Sequence, residues 1–109
     1  MQSLIKQKPT FYWTEKMNDG EGLFSLSLIS KSDKLLDTYL HNLSKSKETA
    51  EIWKAIELVV KGFDKLNMED DGFIKLSERE ELADFIKSAA EMYGLHYEGD
   101  VTEEYRLEW

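Results

Sequence analysis

Thr10-Phe11-Tyr12-Trp13-Thr14 and, one turn later, Leu23-Phe24-Ser25-Leu26-Ser27-Leu28-Ile29 are the segments on which the fold class turns. The first is dense in aromatic and β-branched residues, which are enriched in strands. The second sets Phe24, Leu26 and Leu28 against Ser25 and Ser27, the period of two that marks a half-buried strand. Between them Asn18-Asp19-Gly20-Glu21-Gly22 is turn chemistry, because Asn, Asp and Gly tolerate positive φ. Pro9 cannot donate to a ladder, so residues from Leu4 up to it form at most an edge or an irregular lead-in. Together these signals predict an antiparallel hairpin. On a strand, Tyr12 and Trp13 point to opposite faces, so one of the two lies outside the core.

The rest of the chain reads as helical. Leu35, Leu36, Tyr39, Leu40 and Leu43 recur at helical spacing, with Ser30 or Ser32 available as the cap. After a polar break at residues 44–48, a longer helix to Leu66 carries Ile52, Trp53, Ile56, Val59, Val60 and Phe63 on one stripe. Ser77 with Glu80 three residues on forms a capping box for a last helix. Its buried stripe is Leu82, Phe85, Ile86, Ala89, Ala90 and Tyr93, and Gly94 suits a left-handed C-terminal cap. Residues 73–76 and 104–108 have strand-like content. The expected fold is one α+β domain over residues 1–109. It has a small antiparallel sheet, from the N-terminal hairpin and the C-terminal strand, packed on about three helices.

Charge separates the chain into two parts. Residues 1–66 hold ten lysines and nine acids, whereas residues 67–109 hold thirteen acids against Lys75, Arg79, Lys87 and Arg106. The net charge of −8 is therefore concentrated in the second part. Such a field steers basic partners and repels nucleic acid and anionic membrane. The chain has no cysteine, which excludes disulfides and thiolate metal sites. No run approaches the roughly 20 apolar residues of a membrane span, and the first residues lack the apolar core of a secretory signal. A cytoplasmic location is the expectation.

No motif names a reaction. His41 and His96 stand in neither a metal spacing nor a triad-like setting. Runs of acids such as Asp70-Asp71 and Glu103-Glu104 lack the asymmetric environments that glycoside hydrolysis needs. Gly20-Glu-Gly22 is too short for a phosphate loop. A non-catalytic protein without cofactor is expected. The acidic stretch around Gly72 resembles an EF-hand loop. Asn67, Glu69, Asp71 and Glu78 fall at liganding positions, and Phe63 and Leu66 fall where an incoming helix places apolar residues. Against a calcium module at residues 67–78 stand Asn67 at the first position, Lys75 at the ninth and the lack of a second loop.

Acids interleaved with aromatics mark the candidate partner surface: Glu69, Asp70 and Asp71, then Tyr97, Glu98, Asp100, Glu103, Glu104, Tyr105, Glu108 and Trp109. Tyr and Trp ringed by polar residues are the usual anchors of an interface. In size, charge and layout, with E-D-D at 69–71 and the ending E-G-D-V-T-E-E-Y-R-L-E-W, the chain resembles the small acidic bacterial immunity proteins of toxin systems, including contact-dependent growth inhibition. That resemblance implies binding and neutralising a basic toxin, a nuclease above all. The acids would pair with its Lys and Arg and occupy the place of nucleic-acid phosphate. A non-catalytic adaptor or enzyme subunit, kept soluble by its acidic face, is a further reading of the same charge.

Overall fold

The structure, a computed structural model, describes residues 8–20, 24–69, 72–106 and 109. The described residues form a bundle of four helices: α1 (Pro9–Asn18), α2 (Leu26–Ser44), α3 (Thr49–Glu69) and α4 (Leu76–Met92). Among the described residues there is no strand. The expected α+β fold with its small sheet is therefore corrected to a helical bundle, with four helices among the described residues in place of about three.

The hairpin fails at both arms. Pro9 opens α1 instead of demoting a strand, its ring fixing φ where the missing N–H costs nothing. On that helix Trp13 is wholly buried, stacked on Phe24 (5.4 Å between centroids) and edge-on to Phe63 (6.4 Å) and Phe73 (5.7 Å). Tyr12 is exposed, so the separation of the two rings holds, on a helix in place of a strand. In the second arm Ser25 is the N-cap of α2, accepting a hydrogen bond from the Leu28 amide at 3.1 Å. The alternation of 24–28 is too short to outweigh that cap. Leu26 is 73 % exposed, and burial follows Leu28, Ile29, Ser32, Leu36, Tyr39 and Leu43, a helical period. Of the predicted turn at 18–22, Asn18 closes α1, Gly20 turns with φ +76°, and residues 21 and 22 lie outside the described ones.

The expected third strand at 73–76 is a coil that buries Phe73 and Ile74 and leads into α4 at Leu76. The expected tail strand at 104–108 is a series of turns through Tyr105, and residues 107–108 lie outside the described ones. Lys75, not Ser77, is the N-cap of α4, and Glu78 replaces Glu80 as the residue whose carboxylate accepts from the N-cap amide, at 3.1 Å. Gly94 does close α4 in the left-handed region, φ +104°. The Leu95 amide bonds back to Ala90 O and the Gly94 amide to Glu91 O, and Leu95 is buried beside them, as in a Schellman cap.

α2 and α3 pack against each other closely at Gly62 and Leu35. A Cβ built on Gly62 would sit 2.7 Å from Leu35 Cδ2, so the missing side chain lets the helices approach. The Tyr39 hydroxyl donates to Ile86 O at 2.7 Å, tying α2 to α4, and burial pushes its pKa far above the ordinary phenol value. α1 is fastened at both ends: Lys8 to Asp33 and Asp37 of α2, Lys16 to Glu78 of α4 at 2.9 Å. Among the described residues no helix is long and apolar enough to cross a membrane.

Candidate functional site

Three stretches build one recess. Trp53 comes from the first turns of α3, Tyr97 from the segment after α4, and Tyr105 from the tail turns. Trp53 and Tyr97 lie 5.1 Å apart between ring centroids and at 89°. Trp53 and Tyr105 lie 6.5 Å apart and at 58°. With Asp100, Val101 and Glu104 these rings enclose a cavity of about 280 Å³. A shallower depression of about 460 Å³, lined by Glu80, Asp84 and Lys87 of α4 with Gly99 and Asp100, adjoins it through the shared Asp100.

The tail is folded by its own ionic contacts. Asp100 Oδ1 accepts from the Thr102 amide at 2.8 Å and from its hydroxyl at 2.6 Å, which locks the turn. Asp100 Oδ2 accepts from Arg106 Nη2 at 3.0 Å, and Arg106 Nη1 donates to Trp109 O at 3.0 Å. The guanidinium also lies 5.7 Å from the Trp109 ring centroid, itself edge-on to Phe63. Gly99, at φ +107°, turns the backbone between Tyr97 and Asp100 so that both line one recess. Partial burial, and next the Glu104 carboxylate, raise the Tyr105 hydroxyl above its ordinary pKa. Asp100 and Glu104 are the charged residues that line the recess.

The sequence-predicted residues divide accordingly. Tyr97 (46 % exposed), Glu98, Glu103 and Glu104 are open to solvent, and Tyr105 is half-buried beside them. Asp100 is a positioning residue rather than a free acid. Trp109 is only 8 % exposed and belongs to the core, so it is withdrawn from the contact surface. Glu69 is exposed at the far end of α3, 16 residues from Trp53, which is about 24 Å along the helix. Asp70, Asp71 and Glu108 lie outside the described residues. Trp53, placed on the core stripe by its spacing, is the residue missed. It follows Ile52 directly, at the edge of that stripe, and is only half-buried.

The ends of the calcium-loop spacing are engaged by the chain itself. Asn67 is buried, and its Oδ1 accepts from the Ile74 amide at 2.8 Å while its carbonyl accepts from the Gly72 amide at 2.7 Å. Glu78 bonds Lys75 N and Lys16 Nζ. Among the described residues no group of three or more His, Cys, Asp or Glu is gathered to hold a metal ion. His41 and His96 are both exposed. No family model, no curated protein and no solved structure matches the chain.

Proposed function

We propose that this chain is a non-catalytic binding protein that docks a basic protein partner through its acidic end, in the manner of an immunity protein neutralising a nuclease toxin. The observation that supports it is the recess of Trp53, Tyr97 and Tyr105 with exposed Glu104 in its lining, and with exposed Glu98 and Glu103 next to lining residues in the chain. Aromatic rings ringed by polar groups make desolvated anchors, and the carboxylates around them steer a cationic surface into place. The concentration of negative charge in residues 67–109 suits a partner whose own ligand is polyanionic. On this reading the protein acts in the cytoplasm, where such a toxin meets its substrate, and holds no cofactor.

The test is capture followed by inhibition. Partners are recovered on the immobilised chain and, in parallel, on a Glu103→Lys/Glu104→Lys variant. A basic protein held by the first and not the second, whose nuclease activity falls to zero at one equivalent of the chain, supports the proposal. Equal recovery on both surfaces, or a partner whose activity is untouched, removes it.

A further inference from the structure

We propose that the recess walled by Trp53, Tyr97 and Tyr105 is a cage for a guanidinium group and takes one arginine side chain of the docking protein. It rests on the reading of the acidic end as the docking face and names the group that the face grips. The perpendicular pair Trp53–Tyr97 and the tilted Tyr105 make three walls around a cavity of about 280 Å³. That is slightly below the roughly 300–1,000 Å³ of sites for drug-sized ligands, and suits one long side chain. Ring faces carry negative potential and attract a cation that approaches within about 6 Å of the centroid.

The wall chemistry selects the cation. Glu104 lines the same cavity. Its carboxylate accepts from the Tyr105 hydroxyl, and an apolar side chain would desolvate its remaining lone pairs without a donor, which is costly. A quaternary ammonium has no N–H to give it. A guanidinium stacks flat on a ring and donates a two-pronged hydrogen bond to a carboxylate at the same time. The chain's own neighbouring cations are engaged elsewhere. Arg106 is held by Asp100 and Trp109, and Lys61, close to Tyr105, pairs with Glu57 at 2.6 Å. The cage is also preset: Asp100, Thr102 and Arg106 lock the turn that carries Tyr105, so little ordering is left for binding.

The experiment uses the full chain, ¹⁵N-labelled, and four capped tripeptides, Gly-X-Gly with X arginine, citrulline, lysine or trimethyllysine. The Trp53 indole N–H should shift saturably with the arginine peptide while those of buried Trp13 and Trp109 stay in place. Citrulline, of the same shape without the charge, should bind at least about tenfold more weakly, and lysine and trimethyllysine more weakly than arginine. Tyr97→Ala should weaken the arginine peptide about three- to tenfold. Unmoved Trp13 and Trp109 signals certify its fold, and Tyr105→Leu serves if they move. Equal binding of citrulline, tighter binding of trimethyllysine, or indifference to both substitutions overturns the cage. A partner that the Glu103→Lys/Glu104→Lys variant loses, with no arginine-peptide binding, refutes the cage and leaves the docking reading standing. Peptide binding with a partner indifferent to charge reversal refutes the docking reading and leaves a guanidinium cage that this partner does not use.

Discussion

Asn67 and Glu78 use their side chains on the protein's own turns, and that sets what each substitution does. Asn67→Ala leaves the Ile74 amide, 7 % exposed as a residue, without its acceptor. The expected loss is about 1–3 kcal/mol, read from the urea midpoint at unchanged slope. Calcium at millimolar concentration should leave that midpoint where it is, since both ends of the loop spacing are engaged. A midpoint that climbs with calcium would restore the EF-hand reading. At Glu78, burial would raise the carboxyl pKa, but hydrogen bonds from Lys16 and from the backbone amides of Glu78 and Lys75 outweigh it and hold the pKa below the ordinary 4.5. A carboxyl depressed on folding stabilises above its unfolded pKa, and the benefit is lost as pH falls through the folded value. The stability difference between the wild type and Glu78→Gln should therefore be full at pH 6 and shrink below about pH 4.5. A difference that grows in acid would mean that Lys16 is not its partner.

α1 is an element made by packing. Ten residues are too few to hold a helix alone in water. Its exposed Phe11 and Tyr12 show how little of its sequence pattern is amphipathic. What holds it is Trp13, whose ring fills the cluster of Phe24, Phe63 and Phe73 and whose indole N–H donates to Glu81 of α4 at 2.8 Å. Trp13→Ala should cost about 3–5 kcal/mol and lower the far-UV helical signal. Trp13→Phe should cost less, and in a double-mutant cycle with Glu81→Ala the two changes should couple, because each removes the same hydrogen bond. The α2–α3 pair has the opposite character, with long stripes that face each other and a glycine at the contact. Gly62→Leu should destabilise by about 1–3 kcal/mol in thermal or urea unfolding, because Leu35 must leave its place. A neutral result would mean that the helices separate easily there.

For the whole molecule the controlling quantity is the one-sided charge. Association with the basic partner should be fast at low salt and slow steeply as salt rises, while dissociation changes little. Glu103→Lys/Glu104→Lys should lower the low-salt association rate about tenfold or more, measured by stopped-flow mixing. A rate independent of salt would place the docking face elsewhere. The helices α2, α3 and α4 were legible because their apolar residues recur with a period near 3.6 over three or more turns, and Gly94 marked its cap correctly. The N-terminal segments were misread because local strand preference, weak in itself, was all that Thr10–Thr14 and 24–28 offered. The recess was half legible: Tyr97 and Tyr105 stood out among acids, whereas Trp53 lies about 44 residues earlier. The sequence by itself determined the charge asymmetry, the three amphipathic helices and the turn and cap at Gly20 and Gly94, since each depends on residues that are neighbours in the chain. Only the tertiary structure decided that Thr10–Thr14 is helical, that Trp109 is core and that Trp53 meets Tyr97 and Tyr105, because burial against distant residues outweighs local preference.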